Sequence, residues 1–518
     1  MSNVDPSWGP PTGAPVSHAG PTGLPPHQPH PVAYIFAVVM PLVLLAAFAT
    51  PLAVVLIRRS GTESGPAVVP AANGSKGERG LGDPYYPEAG NSGYDVAKYQ
   101  ISVSWDPASA TLTGTTTITA RATQSLESFY FDLALPTTGV RVNGQPAAFD
   151  PQGFADVEVI PTATIAAGSD FSMVVDYAGN PGDIGGDVEP WLVTNAEWTA
   201  LGEPESSAWW FPANDHPSDP ALMDVSVRVP AGMEAISVGR LESADAAAEK
   251  DFDTWHWIAR QPMATYLNFV SIGQFELKQG IEDGLPYVYA VSEQLRPADR
   301  QKVFAALLTS AGRLRVLESM FGPYPFTEIG GVVTAHHLPF GALENQTRPV
   351  YDAGAMLRGN GAPELLNHEL AHMWFGDNVT LRQWNDVFNN EAYASWAQWA
   401  YNERTSNRKA NDKLNEAYDS YANQPGFWNI TMIDPSRPHL FDAVYVRGPM
   451  TLQALRNVIG DEAFFRFSRD WAQAPGSRSL EEWMAAAQAA TTIDLDPFFQ
   501  AWIYSPSVPA RTPENGFR

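Results

Sequence analysis

The hydrophobic periodicity of the chain changes near residue 275, and this change constrains the fold more than any other feature of the sequence. Before it, short segments such as Tyr99–Trp105 alternate apolar and polar residues, and turn residues such as Asn143-Gly144 separate them. A period of two predicts β-strands, and Asn-Gly predicts a two-residue hairpin. After it, apolar residues recur at helical spacing. We therefore expect an α+β fold, with an antiparallel β domain at 92–278 and a mostly helical domain at 279–518.

Two helices of the second half carry clear signals at their ends. Apolar residues recur with a helical period from Val303 to Leu317, and Gly322-Pro323 follows them, which predicts one helix that ends there. Ser479 and Glu482 are spaced as a capping box and predict the start of another helix. This last helix is expected around residues 480–490, and further helices are expected around residues 363–375, 390–403 and 448–459.

The N-terminal region predicts a membrane anchor. Residues 1–31 are rich in Pro, Gly and His and contain no Lys or Arg, a composition typical of a disordered tail. Residues 32–57 carry no charge, and at about 1.5 Å per residue this run exceeds the roughly 30 Å that a bilayer core requires. A buried core helix and a cleaved signal peptide are alternatives, but the run is long for either and lacks a basic leader. We expect a transmembrane helix at 32–57, followed by a flexible linker at 58–91.

The orientation of this anchor rests on two opposing indications. The nearby cations Arg58, Arg59 and Lys76 follow the apolar run, so the positive-inside rule places the large domain in the cytoplasm. The Pro-rich linker with many small residues is typical of a spacer that holds a folded domain off a bilayer. We expect a membrane-anchored protein with an extracytoplasmic catalytic domain.

Composition excludes several classes of partner and of site. The net charge is −25, from 32 basic and 57 acidic residues, whereas nucleic-acid phosphates require a basic face. Nucleic acid is therefore excluded as an expected partner. The chain has no cysteine, which excludes thiolate nucleophiles and cysteine metal sites and leaves His, Asp and Glu as the strong metal ligands.

A metal-binding pattern lies at His368-Glu369-Leu370-Ala371-His372. In a helix, residues four apart lie one turn above each other, so His368 and His372 can direct two imidazoles at one ion. Catalytic zinc takes three protein ligands and keeps an open position for water. Eighteen residues separate His372 from Glu391, which we expect in the opening turn of a second helix as the third ligand. Glu369 would then act as general base on the zinc-bound water.

Two further segments join this pattern to a known family. Gly341-Ala342-Leu343-Glu344-Asn345 precedes the zinc helix, and Tyr445-Val446-Arg447-Gly448-Pro449 follows it. With the histidine motif and Glu391, the chain resembles the aminopeptidase N family of zinc exopeptidases, whose corresponding segments read G-x-M-E-N and Y-x-K-G-P. Leu343 and Arg447 depart from the usual Met and Lys. Trp210–Pro217 and Gly82–Pro87 resemble the amino-terminal β domain of the family, so that the resemblance covers about residues 82–510.

The resemblance implies roles for several residues. It implies a thermolysin-like catalytic domain with one zinc ion and peptide substrates that carry a free N-terminus. Glu344, with Gly341, Ala342 and Asn345, would bind the substrate's amino group, and Tyr445 would stabilise the tetrahedral oxyanion. Glu203 is the candidate for a second amino-group ligand, although Glu205 is two residues away.

These observations predict a membrane-tethered zinc aminopeptidase, a short form without the helical carboxy-terminal domain of longer members. Two alternatives stay open. A zinc endopeptidase would have no use for the amino-group ligands, and a non-catalytic peptide-binding protein on the same fold would not require Glu369 or Tyr445.

Overall fold

The computed structural model describes residues 75–185, 189–249, 251–359 and 361–518. The predicted tail at 1–31, the transmembrane helix at 32–57 and the first part of the linker lie outside the described residues. Within the described ranges, no helix is both long and apolar enough to cross a bilayer.

The first half of the described chain consists of β-strands, as its alternating pattern predicts. The strands are β1 Ser75–Lys76, β2 Tyr94–Asp106, β3 Thr111–Ala122, β4 Leu126–Asp132, β5 Thr137–Val142, β6 Gln145–Pro146, β7 Ala148–Gln152, β8 Asp156–Ile160, β9 Asp170–Gly179, β10 Trp191–Thr194, β11 Glu197–Ala200, β12 Ala221–Pro230, β13 Glu234–Ile236, β14 Arg240–Glu249, β15 Phe252–Met263 and β16 Val270–Gly273. They form an eight-stranded sheet in the order β14-β15-β12-β2-β3-β9-β5-β6 and two four-stranded sheets, β1-β4-β8-β7 and β10-β11-β16-β13.

Alternation along the strands builds the core of this β domain. On β2, Tyr99, Ile101, Val103 and Trp105 are buried while the intervening residues face outward or are half-buried. Most neighbouring strands pair antiparallel, as predicted, although β12 pairs parallel with β2 and β1 with β4. The predicted hairpin is confirmed: Asn143-Gly144, with φ of 50° and 76°, connects β5 to β6.

Residues 75–91, placed in the linker by their composition, instead pack against both halves of the molecule. The backbone amide of Trp384 donates to the buried carboxylate of Asp83 at 2.8 Å, and the Tyr85 hydroxyl donates to Asp434. Composition alone does not reveal these contacts because each partner lies about 300 residues or more further along the chain.

The second half combines a mixed sheet with helices. Its strands are β17 Phe275–Glu282, β18 Leu285–Ser292, β19 Ile329–Thr334, β20 Ala342–Leu343, β21 Val350–Asp352, β22 Val379–Leu381 and β23 Gly476–Arg478. Its helices are α1 Pro297–Leu307, α2 Ser310–Phe321, α3 Ala353–Leu357, α4 Gly361–His372, α5 Phe388–Thr405, α6 Ala410–Tyr421, α7 Pro425–Trp428, α8 Val444–Ile459, α9 Asp461–Ala472, α10 Leu480–Ala489 and α11 Asp496–Phe499. The five-stranded sheet has the order β17-β18-β19-β21-β20, so β20 is an edge strand, and the predicted boundary at residue 278 falls within β17.

The single helix predicted over 303–317 is two helices. Leu308 and Thr309 form a turn between α1 and α2, where the Thr309 hydroxyl donates to the Ala306 carbonyl at 2.7 Å. A side-chain hydroxyl that binds the preceding turn competes with helix continuation, and the apolar period does not report it. The predicted capping box at Ser479 and Glu482 is confirmed at the start of α10.

Candidate active site

Helix α4 presents two histidines one turn apart. The rings of His368 and His372 have centroids 4.8 Å apart. The Nδ1 atom of His372 lies 2.9 Å from the Phe375 carbonyl, which can only accept a hydrogen bond, so Nδ1 carries a proton and Nε2 is the nitrogen that can reach a metal ion. A carbonyl that fixes the tautomer in this way is typical of metal-binding histidines.

Helix α5 packs against α4 and brings Glu391 to the two imidazoles. Oε2 of Glu391 lies 3.1 Å from Nε2 of His368 and 3.4 Å from Nε2 of His372. Burial acts to raise the pKa of Glu391, but the two imidazoles outweigh it and lower that pKa well below its usual range. One ligand atom from each of the three residues lies within 4.8 Å of the others. Two imidazoles and one carboxylate form a donor set that fits Zn²⁺ and leaves a position open.

Glu369 lies beside this cluster on the same helix. Its side chain is buried, and burial raises the pKa of its carboxyl well above the usual value even though His372 opposes the shift. Tyr445, in the first turn of α8, has its ring centroid 5.9 Å from that of His368 and is 40% exposed. Both residues line one cavity of about 450 Å³ together with the three candidate ligands.

A close helix crossing sets the position of Tyr445. Gly448, one turn after Tyr445 on α8, faces Ala392 on α5, the residue that follows Glu391. A Cβ atom at position 448 would lie 2.6 Å from the Ala392 Cβ. The absence of a side chain at Gly448 therefore allows α8 to approach α5 closely.

The segment 341–345 forms another wall of the cavity. Gly341 has a φ of 89° and turns the chain into the edge strand β20, which contains Ala342. Ala342 and the buried Glu344 line the cavity, and one oxygen of Glu344 lies within 4.8 Å of ligand atoms of Glu369 and His372. Asn345 instead binds the β domain, because its Nδ2 donates to the Leu267 carbonyl at 2.9 Å.

The structure separates the two acidic residues near position 204. Glu203 lines the same cavity as Glu344, and its buried Oε1 has no hydrogen-bond partner within the described ranges. Burial, reinforced by the charge of Glu344, raises the pKa of Glu203 well above its usual value. Glu205 lines a neighbouring cavity of about 590 Å³, where burial and Asp215 raise its pKa to about 7. Of the two, only Glu203 faces the candidate metal ligands.

Several residues in or next to the cavity carry no local sequence signal, so the sequence alone does not predict their place there. Phe340, Leu365 and Phe441 contribute apolar surface to the cavity, and Ser395 and Gln398 contribute polar atoms. Tyr266 comes from the β domain, and its hydroxyl donates to Oε1 of Glu344 at 2.9 Å. Because these contacts join residues that are distant in sequence, no short sequence motif predicts them.

Comparison with known proteins finds similarity to zinc metallopeptidases and aminopeptidases. Residues 306–502 match the model of the peptidase family M1 domain. The chain is 26% identical over 337 residues to a leucyl aminopeptidase of Saccharolobus solfataricus, covering 58% of this chain and 40% of the relative. It is 27% identical over 328 residues to an aminopeptidase N of Acetobacter pasteurianus, covering 58% of this chain and 88% of the relative.

The solved structure of an M1 zinc metallopeptidase from Deinococcus radiodurans aligns with a TM-score of 0.74 at 26% identity, covering 83% of this chain and 98% of that one. By contrast, the chain spans 40%, 34% and 37% of the length of three curated relatives. Together these similarities confirm the predicted resemblance to the aminopeptidase N family.

Proposed function

We propose, from the match of residues 306–502 to the peptidase family M1 domain, that this protein is a zinc-dependent aminopeptidase that removes the N-terminal residue from peptides. One observation carries the proposal. The candidate metal ligands His368, His372 and Glu391 share a cavity with two further acidic side chains, the buried Glu344 and the half-buried Glu203. One group of residues fits a metal and the other fits an ammonium ion, and their proximity suits cleavage next to a free amino end.

His368, His372 and Glu391 would hold the metal ion, in agreement with the zinc named for the solved M1 structures. A bound zinc ion supplies a Lewis acid that polarises the scissile carbonyl and lowers the pKa of its water towards about 7. The contact between His372 and the Phe375 carbonyl would orient this imidazole towards the metal ion.

Glu369 carries the proton in this proposal. Its carboxylate accepts a proton from the attacking water and returns it to the nitrogen of the leaving amine, so the general base of the first step is the general acid of the second. Its buried position, which raises its pKa, favours a carboxyl group that holds this proton between the two steps.

Glu344 and Glu203 bind the ammonium group of the substrate. Four acidic side chains, including Glu369 and Glu391, line one small cavity, and a bound cation would stabilise their charged forms. A buried carboxylate forms a strong, charge-assisted hydrogen bond with an ammonium group. Binding the amino end at a fixed place relative to the metal site selects the first peptide bond for cleavage.

Tyr445 donates a hydrogen bond to the oxygen of the scissile carbonyl when negative charge develops there. Tyr445 lines the cavity with its ring beside His368, and a donor aimed at developing charge accelerates the reaction more than it tightens substrate binding.

The proposal is tested with leucyl-p-nitroanilide and its N-acetylated form, each assayed with zinc-loaded and metal-stripped protein. We expect hydrolysis of the free-amine substrate only, its loss on stripping, its return with zinc, and its loss in Glu369→Gln. Equal cleavage of the acetylated substrate, or internal cleavage of an end-blocked peptide, would identify an endopeptidase. Binding of peptides without any turnover would identify a non-catalytic protein.

We also propose that residues 32–57 anchor the protein in a membrane with the peptidase domain outside the cytoplasm. The support is the uncharged run followed by a Pro-rich spacer. Carbonate-washed membranes should retain the full-length chain, and external protease should remove the domain from intact cells. Recovery in the soluble fraction would contradict the anchor, and protection from external protease would contradict the orientation.

A further inference from the structure

A short turn of the β domain reaches into the amino-group site. Residues Thr265–Leu267 form one turn of 3-10 helix, and all three are buried. The Tyr266 hydroxyl donates to Oε1 of Glu344 at 2.9 Å, and the Leu267 carbonyl accepts from Nδ2 of Asn345 at 2.9 Å. Two consecutive residues of the 341–345 segment are therefore held by two consecutive residues of the β domain.

The direction of the Tyr266 hydrogen bond is determined by its neighbours. Nδ2 of Asn390 donates to the Tyr266 oxygen at 3.4 Å. A phenol has one proton, and the carboxylate of Glu344 can only accept, so that proton is directed at Glu344. Burial, together with the charges of Glu344 and Glu203, holds the pKa of Tyr266 well above its usual value, which keeps the hydroxyl protonated at the working pH.

Packing fixes the ring that carries this hydroxyl. Tyr266 is 1% exposed, and its ring centroid lies 5.4 Å from that of Trp384. Trp384 is itself buried, and its backbone amide donates to Asp83 at 2.8 Å. A side chain packed in this way cannot follow Glu344 if its carboxylate rotates, so the hydrogen bond selects one orientation of that carboxylate.

We infer that Tyr266 is a positioning residue that holds the carboxylate of Glu344 in the orientation that receives the substrate's ammonium group. This inference rests on the proposed function, because it assigns Tyr266 a role through the amino-group ligand. The hydroxyl occupies one carboxylate oxygen and leaves the other for the ammonium. It also places a positive hydrogen on Glu344, which shares its cavity with the acidic side chains of Glu203 and Glu369.

Removal of this hydroxyl has a specific consequence. Tyr266→Phe deletes one oxygen and keeps the ring against Trp384, so the change acts mainly on Glu344. Without its donor the carboxylate can rotate. Binding of the ammonium group must then also fix the orientation of the carboxylate, and this cost in conformational entropy weakens binding. A peptide without a free amino group makes no use of Glu344, and its binding should not change.

The test measures binding instead of turnover. Zinc-loaded Glu369→Gln protein, which should not hydrolyse peptides, is titrated calorimetrically with Leu-Ala-Ala and with N-acetyl-Leu-Ala-Ala. Three further proteins carry Tyr266→Phe, Glu344→Gln, or both substitutions in addition to Glu369→Gln. Tyr177→Phe is the matched control, because Tyr177 is a buried tyrosine of the same domain whose hydroxyl contacts Thr116 at 3.2 Å.

We expect Tyr266→Phe to weaken binding of the free tripeptide about tenfold, as for loss of one hydrogen bond to a charged group, and to leave the acetylated peptide and the control unchanged. In the Glu344→Gln protein, Tyr266→Phe should change binding less than twofold. Equal weakening of both peptides, or a full effect of Tyr266→Phe without the Glu344 carboxylate, would overturn the inference. If Glu344→Gln itself leaves the preference for a free amine intact, the proposed function fails as well, and the two failures are distinguishable.

Stability gives a second readout. Loss of the hydroxyl leaves a buried carboxylate short of a donor, so Tyr266→Phe should lower the melting temperature more than the Tyr266→Phe/Glu344→Gln pair does. A Tyr266→Phe protein that unfolds while the double variant folds would also support the coupling. Unfolding of both would show that Tyr266 serves the fold independently of Glu344 and would contradict the inference.

Discussion

The crossing of α5 and α8 at Gly448 connects helix packing to catalysis, and Gly448→Ala tests that connection. The added Cβ would lie 2.6 Å from the Ala392 Cβ and 2.9 Å from the Ala392 Cα. Non-bonded carbons prefer a separation of about 3.5–4.0 Å, so the two helices must move apart by about 1 Å. Glu391 lies on α5 and Tyr445 lies on α8, so separation of the two helices changes the distance between these two residues.

The sizes of the competing effects can be compared. Overpacking of a buried contact costs about 1–3 kcal/mol, and replacing a helical glycine by alanine returns about 1 kcal/mol. The net loss of stability should therefore be about 0–2 kcal/mol. A displacement of about 1 Å at a catalytic group can reduce the rate about 100-fold, so kcat should fall far more than stability. Zinc content should not change if α8 takes up the movement, because no candidate ligand lies on α8, whereas a movement of α5 would displace Glu391.

The assay compares Gly448→Ala with Gly312→Ala for kcat on leucyl-p-nitroanilide, zinc content and melting temperature. Gly312 lies on the exposed side of α2, and a Cβ there meets no atom within 4 Å. Gly312→Ala should keep its activity and gain up to about 1 kcal/mol of stability. If Gly448→Ala matches Gly312→Ala in both kcat and melting temperature, the close crossing does not position Tyr445 and the reasoning is refuted.

Three further predictions concern single side chains. Tyr445→Phe should lower kcat about 100-fold or more with little change in KM, as measured by steady-state kinetics, and a rise in KM alone would exclude oxyanion stabilisation. Glu391→Ala should lose its zinc on dialysis while the parent chain keeps one equivalent, as measured by elemental analysis, and retention of zinc would exclude this ligand. Burial lowers the pKa of His336 to about 4. The unfolded chain therefore binds a proton at this residue more readily than the folded chain does, which destabilises the fold as the pH falls from about 6.5 towards 4. In urea unfolding, the free energy of unfolding of His336→Gln relative to that of the parent chain should therefore increase by about 2 kcal/mol as the pH is lowered from 6.5 to 4.5. A difference between the two proteins that does not change with pH would contradict this.

The candidate metal centre could be predicted from sequence because its main elements are local. A spacing of four places His368 and His372 on one helix face whatever surrounds the helix. Glu391 required more, since its approach depends on how α5 packs on α4, and its spacing from His372 shows only that a second helix could return it to the metal site. The β and helical halves were predictable for the same reason, because a period of two or of 3.6 is imposed by burial along each element.

The remaining features depend on contacts between distant parts of the chain. Glu203 and Glu205 look alike in sequence, and only the path of the backbone directs them into different cavities. Tyr266 meets Glu344 across 78 residues, and Asp83 meets Trp384 across 301. No periodicity or short motif indicates such pairs. For this reason residues 75–91, whose composition is typical of a linker, were not predicted to form an ordered connection between the two halves.

The crystal structure of zinc-loaded Glu369→Gln protein in complex with Leu-Ala-Ala would test the account most directly. The account predicts zinc bound by His368, His372 and Glu391, with the ammonium of the first residue within hydrogen-bond distance of Glu344 and the first peptide carbonyl facing the metal and Tyr445. A peptide that places an internal carbonyl at the metal, with no ammonium at Glu344, would contradict it.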